Sequence, residues 1–149
     1  MANVKTKESA SLKLVRKLNA APDKVWRALT EPAALKQWMG PADEFKVPVA
    51  EADLRVGGRY HLVMISPDGE EHDVSGVYRE VAPNRKLVYT WAWKSTPERV
   101  SLVTIELAAA GGGTELTLKH DQFFDEEARD RHEHGWTGCL ARLDRYLGK

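Results

Sequence analysis

The sequence predicts an α+β fold in which a curved antiparallel sheet of about seven strands, with two short helices, wraps round one long C-terminal helix and leaves an internal cavity. Three observations carry that prediction. Apolar and polar residues alternate before Asn19 and again in a series of short runs from Phe45 to Leu118. Gly, Pro, Asn and Asp separate those runs at near-regular intervals, and after Phe123-Phe124 the apolar period lengthens to that of a helix.

Taken in order, Leu12, Leu14 and Leu18 alternate with charged neighbours between Ser11 and Asn19, as a half-buried strand requires. Ala21-Pro22-Asp23 opens a short helix carrying Val25, Trp26 and Leu29 at helical spacing, with proline near the start, where its missing N–H costs nothing. Thr30-Glu31-Pro32 restarts the chain as a second short helix with Leu35, Trp38 and Met39 on one side, and Gly40-Pro41 stops it. An antiparallel meander follows. Gly57-Gly58 precedes the run Arg59 to Ser66, Pro67-Asp68-Gly69 precedes Glu71 to Val81, Pro83-Asn84 precedes Lys86 to Trp93, and Ser95 to Glu98 precedes Val100 to Leu107. Gly111-Gly112-Gly113 leads into the last strand; no Gly-Lys-Ser/Thr follows and the next element is not a helix, so these glycines read as a hairpin turn and not a phosphate loop.

The terminal helix is expected from the N-cap Asp125 to about Leu147, with Glu126 and Glu127 at the positive end of its dipole and Arg142 and Arg145 near the other. Ala128, His132, Gly135, Trp136, Cys139, Leu143 and Leu147 fall three or four apart on one face, which must be buried. A strongly curved sheet cannot close on a single straight helix, so a void is expected near the helix's first half and the two short helices. Gly135 belongs to that region. A mid-helix glycine costs ~1 kcal/mol relative to alanine, which signals close backbone approach or room left for something.

Composition bounds the function. The chain has 149 residues, enough for one domain at 11–149 after a flexible N-terminus at 1–10, and Lys plus Arg equal Asp plus Glu at 22 each. Zero formal net charge argues against a general electrostatic grip on nucleic acid or anionic membrane. The N-terminal residues show no apolar leader, no run approaches a membrane span, and the lone Cys139 cannot form an intrachain disulfide, so a cytoplasmic protein, monomeric or homodimeric, is expected.

Several segments together resemble a known family. They are Ala21-Pro22-x-x-Val25-Trp26 with Thr30-x-Pro32-x-x-Leu35-x-x-Trp38, Asp53-Leu54-Arg55-Val56-Gly57-Gly58, Leu87-Val88-Tyr89-Thr90-Trp91, Thr114-x-Leu116-Thr117-Leu118-x-His120, and His132-x-x-Gly135-Trp136. In these the chain is similar, over nearly its whole length, to the Aha-type domains (activator of heat-shock-protein ATPase homologues) of the START and Bet v allergen superfamily, also called SRPBCC. The resemblance implies the helix-grip fold. For function it implies a cavity scaffold reused for lipid transport, hormone binding, aromatic polyketide cyclisation and co-chaperone work. The ATPase activators themselves use an additional domain to reach their chaperone, for which this chain has no room.

Candidate site residues follow from face and period. Leu87, Tyr89, Trp91 and Trp93 share one face of their strand, and such an aromatic ladder either packs a core or walls a pocket for a flat or aliphatic ligand. His132 on the buried helix stripe and His120 on the Leu116–Leu118 face are the polar residues least expected there, either satisfied within the core or available to a ligand or as a general base. Trp136 and Trp38 complete the expected ligand-binding set of Trp38, Tyr89, Trp91, Trp93, His120, His132 and Trp136. No metal is expected: His132 and His134 stand about 200° apart on a helix, so they cannot share an ion, and the metalloprotease spacing is absent. No cofactor loop is visible. Cys139 reads as a buried, inert thiol, and Asp53, Arg55 and Arg59 as turn residues, one of which could reach the cavity mouth.

Three functions are thereby set against one another. Binding of a small hydrophobic or aromatic molecule asks least of the residues. A cyclase- or hydrolase-like enzyme needs an acid and a base, for which only the two histidines and Glu106 or Asp121 offer themselves, and no catalytic residue is assigned. A protein-interaction module or co-chaperone needs an exposed apolar patch, for which the corner Trp38-Met39-Gly40-Pro41 is the candidate unless Trp38 plugs the cavity.

Overall fold

The alternation from Ser11 onward resolves into strand β1 (Ala10–Leu18), followed by helices α1 (Pro22–Thr30) and α2 (Pro32–Trp38), strands β2 (Lys46–Ala52), β3 (Arg59–Ile65), β4 (Glu71–Ala82), β5 (Lys86–Trp93), β6 (Ser101–Ala110) and β7 (Gly113–Phe123), and helix α3 (Glu126–Leu147). The structure, a computed structural model, describes residues 10–148. The expected flexible N-terminus lies outside the described residues except for Ala10, which already belongs to β1.

All seven strands form one antiparallel sheet in the order β1-β7-β6-β5-β4-β3-β2, so the first two strands of the chain end up at opposite edges. The helices α1 and α2 carry the chain across that span. Hairpins make every other strand connection, and the β6–β7 turn shows why the glycine run is there: Gly111 and Gly112 both have positive φ, 54° and 85°, between the paired Ala110 and Gly113. With α3 packed against the sheet, this is the helix-grip fold.

The two ends of α3 are held differently. Asp125 caps the helix by accepting from the Ala128 N–H at 2.8 Å. In the C-terminal half Leu140, Leu143 and Leu147 are buried against β1, β7 and the short helices, each burial stabilising the fold by roughly 1.5–3 kcal/mol. Gly138 lies so close to the segment after α2 that a Cβ there would overlap the Pro41 carbonyl oxygen. Next to it Arg142 donates from Nη1 to the Met39 carbonyl at 2.8 Å and from Nη2 to that of Gln37 at 3.3 Å. The C-terminal half is thus fastened to the α2–β2 connection. The N-terminal half meets the sheet through His132 and Trp136, and the Cβ of an alanine at Gly135 would meet no atom within 4 Å. Of the two explanations for a mid-helix glycine, room is the one that applies to Gly135; close approach belongs to Gly138.

Candidate functional site

The gap beside the first half of α3 is a cavity of about 950 Å³ that opens to solvent. Its floor is Trp91 of β5 and Met64 of β3; Trp136, Gly135, His132 and Ala128 of α3 form one wall, and Met39, Pro41 and Phe45 of the α2–β2 connection another. The mouth carries both signs of charge, Glu70, Glu71 and Asp73 with Lys94, Arg99 and Arg131, and the Lys94 N–H donates to the Asp73 carbonyl at 2.8 Å. Arg99, from the β5–β6 connection, stacks its guanidinium 3.8 Å from the ring centroid of the exposed Phe124, tying that connection to the start of α3 across the rim.

A β-bulge shapes the inner wall. Along β7 the residues Leu116, Leu118 and His120 face inward, and the register with β1 slips between Ala10 and Leu12, where Gln122 adopts φ 65°. The extra residue returns Phe123 to the inner face, where its ring lies 4.2 Å from that of His120 and 4.9 Å from that of His132.

Both histidines are locked by indoles. Trp136 Nε1–H donates to His120 Nδ1 at 2.9 Å, which leaves the His120 proton on Nε2, directed at Ser101 Oγ 2.7 Å away; Ser101 in turn donates to the Trp91 carbonyl at 3.2 Å. Trp93 Nε1–H donates to His132 Nε2 at 2.9 Å, so the His132 proton sits on Nδ1 and goes to the Ala128 carbonyl at 2.7 Å. An indole nitrogen can only donate, so protonating either imidazole breaks its bond to tryptophan. Burial, with the neighbouring His132, drives His120 down to about 2, and burial lowers His132 despite its bond to Ala128. The two rings, 5.2 Å apart, are neutral and carry opposite tautomers.

Of the residues expected in the cavity, Trp91, Trp93, His132 and Trp136 line it. Three others do not. Trp38 is buried where α1 meets α2, its Nε1 donating to the Ala28 carbonyl at 2.8 Å. Tyr89 lies one inward step deeper than Trp91 and packs against Tyr60 and Tyr78 beside a separate space of about 20 Å³. His120 is fully buried behind Ser101, Phe123 and Trp136, which are themselves cavity wall. The corner expected to be an exposed apolar patch is buried at Trp38 and Met39 because α3 packs over it. Asp53 and Arg55 pair with each other at 2.9 Å within the β2–β3 turn, away from the mouth. Glu106 lies on the outer face near Lys86, and Asp121 beside Lys119, so neither carboxylate faces the histidines. Cys139 lines the cavity, and burial pushes its thiol up to about 12.

Sequence reasoning missed Ser101, Phe123, Phe45, Met39 and Met64 as lining residues. The period-two signal counts Phe123 outward from His120, and only the bulge turns it in. No cluster of three or more His, Cys, Asp or Glu residues placed to hold a metal ion occurs among the described residues. No helix among them is long and apolar enough to cross a membrane.

A family model described as Activator of Hsp90 ATPase homolog 1-like protein matches residues 19–148. Among solved structures, the AHSA1 protein from Silicibacter pomeroyi is 31% identical, covering 93% of this chain and 98% of that one with a TM-score of 0.82. A protein from Nitrosomonas europaea is 30% identical, with coverage of 93% and 94% and a TM-score of 0.80. One from Chromobacterium violaceum is 29% identical, with coverage of 93% and 98% and a TM-score of 0.85. No curated protein matches the chain.

Proposed function

Since the chain belongs to the Activator of Hsp90 ATPase homolog 1-like family, a family of ligand-binding or co-chaperone-type domains, we propose that it binds a small hydrophobic or aromatic molecule in the cavity beside α3. The observation that carries the proposal is the pairing of volume with lining. About 950 Å³ lies at the upper end of what small-molecule sites occupy, and Trp91, Trp93, Trp136, Phe123 and Met64 make its inner surface aromatic and apolar. His132 uses both ring nitrogens on Trp93 and Ala128, while the buried indole N–H of Trp91 has no partner among the described residues. With no free imidazole lone pair and no carboxylate beside it, the site is equipped to hold a molecule and not to move a proton. Residence in a reducing compartment such as the cytoplasm suits the buried thiol of Cys139.

Titration of the purified protein with linear saturated carboxylates and planar aromatic compounds, followed by tryptophan fluorescence and thermal shift, tests the proposal. A ligand present at 100 times its Kd should add ~2.7 kcal/mol of stability. Trp91→Ala should weaken that ligand's binding while the far-UV spectrum stays unchanged. Saturable binding that Trp91→Ala leaves unaltered would remove the cavity as its location.

A further inference from the structure

Among the described residues, Met39 is the one that lines both the large cavity and the small inner space. The two spaces are consecutive along the same strands. On β3, Met64 borders the large cavity and Leu62 the small one; on β5, Trp91 borders the large cavity and Tyr89 and Leu87 the small one. Two residues along a strand advance ~6.8 Å, so the inner space continues the large cavity one side-chain step towards α1 and α2. Apart from Met39 and its tyrosines it is bounded by leucines, namely Leu29, Leu35, Leu62 and Leu87.

The backbone of Met39 is held on both sides. Its N–H donates to the Leu35 carbonyl at 3.0 Å, and its own carbonyl accepts from Arg142 at 2.8 Å. Between these fixed points stands an unbranched thioether, the most adaptable of apolar side chains. It is buried, and it stands between the small inner space and the large cavity.

We propose that Met39 is a movable partition and that the inner space is a subsite for the end of an unbranched apolar chain, which enters when the thioether turns aside. This rests on the large cavity being a ligand site and adds the class of ligand: an amphiphile with its bulk against Trp91 and Trp136, its polar end at the charged mouth, and a narrow aliphatic tail. A space of about 20 Å³ excludes a ring, whereas a chain end that also takes over the room vacated by the thioether fits. The residue therefore sets the longest chain the protein accepts.

The test is a chain-length series of linear saturated carboxylates from six to sixteen carbons, measured by isothermal titration with the wild-type protein, Leu62→Phe and Met39→Ala. Each methylene that finds apolar surroundings tightens binding about four-fold, up to a length beyond which affinity levels off. Leu62→Phe fills the inner space without touching the large cavity, and should weaken the longest tight-binding chains by about ten-fold or more while the shortest keep their affinity. Met39→Ala should act in the opposite sense, raising affinity for the longest chains relative to the shortest and moving the plateau to greater length. The same plateau in all three proteins overturns the partition while leaving the cavity as a ligand site, as does binding of planar aromatics with no chain bound at any length. If the wild type binds neither chains nor aromatics, the ligand-site proposal fails and the partition with it.

Discussion

Lowering the pH from 7 to 4 should cost the fold about 3 kcal/mol through His120 alone. In the unfolded chain an imidazole takes up its proton near pH 6.5. In the fold it stays neutral down to about 2, because burial opposes the charge and Trp136 occupies Nδ1. The unfolded state therefore binds more protons throughout this interval, and stability falls as pH falls, by ~1.4 kcal/mol for each pH unit below the unfolded value. At pH 4 that interval is about 2.5 units, giving ~3 kcal/mol after the small loss already present at pH 7. The contribution is complete above about pH 7, and His132, lowered in the same direction, adds to the loss. A domain stable by 5–15 kcal/mol would feel this as a large fraction of the total. Urea denaturation at a series of pH values measures it, with His120→Asn as the reference, since an asparagine Oδ1 can accept from Trp136 and does not titrate. The wild type's advantage over the variant should shrink by ~3 kcal/mol between pH 7 and 4. Parallel loss in the two proteins would refute the buried neutral imidazole, as would nitrogen chemical shifts that put the protons of His120 and His132 on the same ring position.

Two further outcomes follow from the packing of α3. Gly135→Ala should raise stability by up to ~1 kcal/mol, about 3 °C in Tm, because the new methyl meets open space; Gly138→Ala should lower it by ~1–3 kcal/mol, because the methyl strikes the Pro41 carbonyl. Thermal unfolding of both variants checks this, and equal effects would contradict the different fastening of the two halves. Cys139 at pH 8 should react with iodoacetamide ~1,000-fold more slowly in the folded protein than in urea, since a thiol at about 12 is almost wholly protonated; comparable rates would show that it is neither buried nor raised.

Much of this architecture is legible in the sequence because it is local. Pro22 and Pro32 mark the helix starts, Asp125 the cap, and Lys86 to Trp93 the bounds of β5, all as the residues themselves suggest. The site is legible only where periodicity continues undisturbed, as at Trp91, Trp93, His132 and Trp136. Where depth matters and not face, periodicity is silent. Tyr89 and Trp91 share a face and differ only in which space they border, and Trp38 follows the helix period yet turns its indole to Ala28. The bulge that swings Phe123 inward depends on the register with β1, a strand more than a hundred residues away in the chain. Gly135 and Gly138 look alike as sequence and are opposites in space.

The pairing of β1 with β7, in which Leu12 meets His120, joins segments about a hundred residues apart in the chain. Closing so long a loop must precede any gain from the contacts it brings, and chains dominated by such distant pairings fold in milliseconds to seconds. On the ribosome β1 has no partner until β7 has been made, and the meander from β2 to β6 is built without the helix that will cover it. The order of synthesis leaves the cavity's aromatic floor, Trp91 among it, facing water until α3 arrives. Translation from β5 to α3 is therefore the interval in which that surface is uncovered, and slowing it should lengthen the time in which nascent chains aggregate.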